Sequence, residues 1–202
     1  NSNYGILGRN TNIKGENLVI GNTGQSALAC TVGGTYNFSH CTFANYWSNS
    51  LRQLPTVLVN NFFTSINENN QEVTVTRDLF AANFSNCIID GNNNVEFILD
   101  KVDGSMFNYS VKNCLIQFND INNSFTGISE LNFEDLSHYQ DIILNGTPHF
   151  KNTSFNQFII GQNSDAINKA DGIISQFTPL DILGINRITS PDIGAYQHIT
   201  FN

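Results

Sequence analysis

Three stretches of this chain align without gaps: Phe38-Ser39-His40-Cys41-Thr42-Phe43, Phe84-Ser85-Asn86-Cys87-Ile88-Ile89 and Val111-Lys112-Asn113-Cys114-Leu115-Ile116. Weaker copies place the same anchor at Leu18, Phe62 and Thr153, with room for one more around Ile142 to Leu144. A recurrence of roughly two dozen residues, strand-like in content and without a helical period, limits the chain to stacked supersecondary units. One unit cannot bury its own apolar face, so each needs a neighbour above and below. The expected class is all-β, a single-stranded β-solenoid whose equivalent strands pair in parallel.

The strand period of two assigns the columns. Leu18, Cys41, Phe62, Cys87, Cys114 and Thr153 face inward, as do Ile20, Phe43, Thr64, Ile89, Ile116 and Phe155 two residues on. Val19, Thr42, Phe63, Ile88, Leu115 and Ser154 face outward, a largely apolar stripe that asks for a loop or a partner to cover it. Before each anchor stand Asn17, His40, Asn61, Asn86, Asn113 and Asn152. Asn tolerates the left-handed backbone of a corner, so these read as stacked Asn ladders. Stacked thiols point the same way, which suits a disulfide poorly. Cys30, Cys41, Cys87 and Cys114 are therefore expected free and buried, with Cys41 two units from Cys87.

Composition narrows the function classes. Asn is the commonest residue, 32 of 202, while charged residues are only 13% and the net charge is −8. An acidic chain lacks the basic stripe that nucleic acid requires. No run of about 18 apolar residues exists to span a membrane as a helix. There is no CxxC pair, and His138, His149 and His198 are scattered, so neither a metal nor another cofactor is expected.

The tail carries a resemblance. Ser164-Asp-Ala-Ile-Asn168-Lys-Ala-Asp171-Gly172, then Pro179-Leu-Asp181-Ile-Leu-Gly184-Ile-Asn-Arg187, then Pro191-Asp192-Ile-Gly194-Ala-Tyr196 resemble the ends of bacterial right-handed parallel β-helix (pectate-lyase-like) surface proteins. Those ends read SPAID-x-G, PLDI-x-G-x-x-R and DIGAYE; here Ser-Asp replaces Ser-Pro and Gln197 stands where Glu is commoner. Asn145 to Phe150 is similar to their DP-x-F lead-in, and Gly33 to Trp47 is similar to uncharacterised members. The resemblance implies a right-handed parallel β-helix of about six to seven coils plus a C-terminal cap. It divides one domain into coils over residues 1–160 and a capping segment over 161–202, forming the C-terminal part of a longer protein. It also implies an extracellular or cell-surface location, with secretion and anchoring supplied by a segment not in this chain. Arg187 is expected to pair with Asp181 or Asp192.

That family includes lyases, hydrolases and binding proteins, so activity must be argued from residues. The outward column holds no acid or base, and proton transfer needs one within reach of the sugar. The leading expectation is thus a non-catalytic scaffold or binding module for polysaccharide or a partner surface protein. That partner would cover the apolar stripe or the uncapped N-terminal edge. The alternative is part of a polysaccharide lyase or glycoside hydrolase with active residues partly upstream. Tyr46, Trp47 and Arg52 are the candidate saccharide contacts, aromatics beside a cation; the competing reading is a loop that anchors itself over the apolar stripe. Arg77, Asp78, Asp100 and Lys101 form a candidate charged corner, the alternative site.

Overall fold

Wherever the chain alternates small polar with large apolar residues it forms strand, and wherever Asn or His precedes a Cys it turns. The computed structural model describes residues 2–201. Seven strands form one sheet: β1 (Tyr4–Glu16), β3 (Ser26–Ser39), β5 (Val57–Asn60), β8 (Leu79–Ser85), β10 (Phe97–Asp100), β11 (Phe107–Lys112) and β13 (Tyr139–Gln140). Five short strands form a second: β2 (Val19–Gly21), β4 (Thr42–Asn45), β9 (Ile88–Gly91), β12 (Leu115–Ile116) and β14 (Ile143–Leu144). All pairings in both are parallel. Two antiparallel hairpins, β6 (Phe62–Ile66) with β7 (Glu72–Thr76) and β15 (Phe150–Asn152) with β16 (Gln157–Ile160), stand apart from them.

This arrangement corrects the single-stranded right-handed solenoid. The strands divide among several separate sheets, and two of the six anchor positions leave the stack. Phe62 pairs with Thr76 inside the β6–β7 hairpin. There Asn67 Oδ1 accepts from the amides of Asn69 and Gln71, and Asn70 turns left-handed at φ 57°. Thr153 sits in a short 3-10 turn closed by left-handed Asn156. In both places local turn chemistry overrides the recurrence. With Phe62 gone from the column, β4 pairs directly with β9, and Cys41 becomes the immediate neighbour of Cys87.

Strand β3 organises the larger sheet. Along one edge it pairs with β1 over nearly its whole length. Along the other, its first half meets β5 and its second half meets β8. The fork lies at Val32, Gly33 and Gly34, with φ of 62°, 72° and 115°. A Cβ on Gly33 would lie 2.4 Å from the Asp78 carbonyl, and one on Gly34 2.5 Å from that of Thr11. Only glycine lets three backbones meet here.

Each passage from the larger sheet to the smaller one is a single left-handed residue: Asn17, His40, Asn86, Asn113 and Asp141, with φ between 47° and 55°. Asn61 and Asn152 lie outside this set. The amide-to-amide ladder is replaced by bonds to the tail, with one internal link from Asn86 Nδ2 to His40 Nε2 at 2.9 Å. Asn17 Nδ2 donates to the Leu180 carbonyl and Asn113 Nδ2 to that of Lys169, both at 2.9 Å. The amide of Asp171 donates to Asn86 Oδ1 at 2.7 Å.

The tail thus runs lengthwise across the corner column. Its Ala166 and Ile193 bury Ile88 and Leu115, so at these two positions the apolar stripe is covered by the chain itself, while Phe63 remains 39% exposed. Arg187 is fully buried yet makes no ion pair with Asp181 or Asp192, contrary to expectation. Its guanidinium donates instead to Asn17 Oδ1 (2.9 Å) and to the Gly194 and Ala195 carbonyls. Both aspartates are occupied by backbone amides, and Asp192 also by His198.

Between the two sheets lies the main core. Phe38 stacks on Phe84 at 5.5 Å, with Phe43 and Phe97 edge-on to that pair. Each ring removed from water contributes about 1.5–3 kcal/mol. All four cysteines are buried and unpaired, and burial pushes the Cys30, Cys41 and Cys87 thiols upward. Iodoacetamide should leave the native protein unmodified and, in denaturant without reductant, alkylate all four. Disulfide-linked peptides in a digest would contradict the stacking.

Candidate functional site

The second half of the larger sheet is built by strict alternation. Ile13, Tyr36, Phe38, Ala82, Phe84, Tyr109 and Val111 point into the core, which turns the residues between them outward. In-register pairing then makes rows across four strands. One row is Lys14, Asn37, Asn83 and Ser110; the next is Glu16, Ser39, Ser85 and Lys112, continued by Gln140. A third comprises Asn12, Thr35 and Ala81. Beside it a bulge between the Gly34–Leu79 and Thr35–Ala81 pairs leaves Phe80 55% exposed.

This face is the floor of a groove of about 420 Å³. Its wall is α1 (Gly172–Phe177), which contributes Ile174. Asp171 caps that short helix, accepting from the amides of Ile173 and Ile174. The buried Ser175 hydroxyl contacts His40 Nε2 at 3.0 Å, which fixes the helix to the corner column. Burial, and secondarily the Arg187 charge, hold the His40 pKa down to about 3, so the ring stays neutral.

The groove is polar and carries cations at both sides. Asn83 Nδ2 donates to Asn37 Oδ1 at 2.9 Å, joining two rungs. Lys14 lies 2.9 Å from Glu16. Lys112, three strand spacings across and two residues along, roughly 16 Å away by backbone spacing, has no carboxylate within ion-pair reach among the described residues. Amides, hydroxyls and two ammonium groups on a rigid floor suit recognition of a polyhydroxylated or anionic chain. A pair of carboxylates spaced for acid–base work is not part of this lining.

The structure separates the residues singled out from sequence. Arg52 is buried, pairs through both its terminal nitrogens with buried Glu96, and donates to Asn45 O, Leu54 O and Asn92 Oδ1. Glu96 also accepts from the Thr56 amide and hydroxyl and the Asn93 amide. Tyr46 packs on Phe150 and Phe158 and donates to Asp90 Oδ1 at 2.6 Å. Burial raises the Asp90 pKa to about 6. Trp47 is half-buried, its indole N–H on Ser50. These three residues anchor a loop and do not present one stacking platform.

Nor does the charged corner assemble. Asp78 accepts from the Met106 amide, and Arg77 reaches its neighbour's carbonyl at Thr76. Lys101 turns to Glu130 (3.2 Å) and Asp103 (3.4 Å). Asp100, whose pKa burial raises, lines one cleft with Lys101, Glu130, Leu58 and Ile98, away from Arg77 and Asp78. No ion pair joins Arg77 or Asp78 to Asp100 or Lys101 among the described residues.

The groove lies on the larger sheet, not on the strands of the outward column read from the Cys anchor. Extending the Cys alignment four residues upstream sets Asn37, Asn83 and Ser110 in one column and Ser39, Ser85 and Lys112 in another, a polar signal that was available. Among the described residues no group of three or more His, Cys, Asp or Glu is placed to hold a metal, and no helix is long and apolar enough to cross a membrane. No protein-family model, curated protein or solved structure matches the chain.

Proposed function

We propose that this chain is a non-catalytic binding module that takes an extended polysaccharide, an acidic one in preference, along the groove of the larger sheet. The observation that carries this reading is the pair of in-register rows ending in Lys14 and Lys112. A rigid floor of amides and hydroxyls costs little ordering entropy when a ligand binds, and two ammonium groups favour carboxylates spaced along a polymer. Phe80 at the bulge adds an apolar face for a sugar ring. Such a module belongs at a cell surface or outside the cell, as the resemblance to surface proteins implies.

Affinity electrophoresis against polygalacturonate, a sulfated glycan and a neutral glucan tests it. Binding should favour the acidic polymers and weaken with salt. Lys14→Ala and Lys112→Ala should each weaken it about tenfold, the loss of one charge-assisted hydrogen bond. Trp47→Ala should leave it unchanged. Release of unsaturated products or reducing ends would overturn the binding-only reading, and equal retention of all three polymers would remove the lysines from it.

A further inference from the structure

We propose that a cleft on the other half of the larger sheet, beyond the fork in β3, binds a small molecule made of an apolar body and one ammonium group. The cleft holds about 480 Å³, within the roughly 300–1,000 Å³ typical of small-ligand sites. Its floor is built by alternation on β5 and β10. Val57, Val59, Phe97 and Leu99 point into the core, so Leu58 and Ile98, paired in register, point out. Asp100 follows Ile98 by two residues and shares its face.

The opposite wall comes from the segment between β12 and β13, through Phe125, Ile128 and Glu130. That wall is fixed before any ligand arrives. Asp120 accepts from the amides of Ser124 and Phe125, both at 2.8 Å. The ring of Phe125 packs on Phe118, Leu131 is buried in the core, and the Tyr139 hydroxyl donates to the Glu130 carbonyl. Beside the floor, the Leu54 carbonyl accepts from Arg52 Nη1 at 2.8 Å, which holds the loop that brings Leu54 and Pro55 to the cleft. A slot shaped in advance costs little ordering when a ligand enters.

Charge selects the occupant. Lys101 is committed to Glu130 (3.2 Å) and Asp103 (3.4 Å). Asp100 makes no ion pair among the described residues, and partial burial raises its pKa with no neighbouring charge or donor to offset the shift. A bound ammonium supplies that missing partner through a charge-assisted bond, about twice as strong as a neutral one. A ligand carboxylate would have to displace two acids from Lys101 and lie beside Asp100. A neutral apolar ligand would strip water from Asp100 and return nothing to it. The apolar walls take a ring or a short chain, which sets this site apart from the polar groove proposed for polysaccharide, and neither site needs the other.

Amide-resolved NMR titrations of the whole chain with phenethylamine, 2-phenylethanol and 3-phenylpropionate test it. Phenethylamine should shift the amides of Leu58, Ile98, Asp100 and Phe125 saturably and bind about tenfold more tightly than the alcohol. The acid should be weaker still. Asp100→Asn should abolish the preference for the amine and leave the affinity for the alcohol as it was. Leu58→Trp, which fills the floor, should exclude all three. Should its melting curve show that this variant does not fold, Ile128→Trp on the opposite wall, at a position 38% exposed, fills the same space. Absence of saturation at about 10 mM amine overturns the proposal. So does equal binding of the three ligands, a preference for the amine that survives Asp100→Asn, or saturable shifts confined to residues outside the cleft.

Discussion

Arg52→Ala should destabilise the protein by about 3–5 kcal/mol, the usual result of removing one partner from a buried ion pair. The guanidinium and the Glu96 carboxylate are both screened from water, with side-chain exposures of 1% and 0%. Without Arg52, Glu96 would retain bonds from Thr56 and Asn93 but carry an uncompensated charge in the interior. The pair joins the loop after β4 to the turn before β10, so its loss loosens both. For a chain of this size the melting temperature should fall by roughly 6–20 °C. Replacing both partners, Arg52→Met with Glu96→Gln, should cost much less, because no charge is stranded. Urea unfolding of Arg52→Met, of Glu96→Gln and of the double variant gives the coupling energy. A cost below about 1 kcal/mol for Arg52→Ala would show that the pair is not a brace.

A second large effect is hidden by cancellation. His40 is neutral in the fold with its pKa lowered from 6.5 to about 3, so its contribution is complete above pH 6.5 and is lost as pH falls toward 3. Asp90 is shifted the other way, from 3.8 to about 6. The folded state binds its proton more tightly, so stability falls as pH rises from about 4 to about 6. Each group contributes several kcal/mol at about 1.4 kcal/mol per pH unit across its window. Between pH 4 and 6 the two slopes oppose. Asp90→Asn, which keeps an acceptor for Tyr46, should expose the His40 slope, with stability dropping on acidification. His40→Asn, the residue found at three other corners of the column, should expose the opposite slope. The midpoints of urea unfolding at pH 4, 5, 6 and 7 decide this, since other titrating groups are common to all variants. Parallel curves for the two variants would refute both assignments.

Legibility in the sequence followed the range of the interactions. Cys41, Cys87 and Cys114 and the Phe43, Ile89 and Ile116 column could be aligned by eye because parallel register stacks like residues on like. Four of the five left-handed corners, Asn17, His40, Asn86 and Asn113, were readable as well, while Asp141 was not and Asn61 and Asn152 are not left-handed. Phe62 and Thr153 were misplaced because hairpin turns at Asn67–Asn70 and Asn156 compete locally with a distant partner. The Arg52–Glu96 pair and the groove formed by Lys14, Asn83, Lys112 and Ile174 were not legible. Their members lie far apart in sequence, and nothing in a single residue's neighbourhood announces its mate. Arg187 shows the same limit: a charged residue in a motif with two aspartates ended on carbonyl oxygens.

The tail laid across the corner column has a kinetic meaning. Most strand pairs join residues a few dozen positions apart, but the bonds from Asn17 to Leu180 and Arg187 span 163 and 170 positions. Closing such loops is slow, so the strap forms last, on sheets already assembled. Stacked strands alone would fray from whichever edge is weaker. Because the strap grips Asn17, Asn86 and Asn113 in turn, the corners between them cannot part without breaking it, and the strands they join are coupled more tightly than stacking alone would make them.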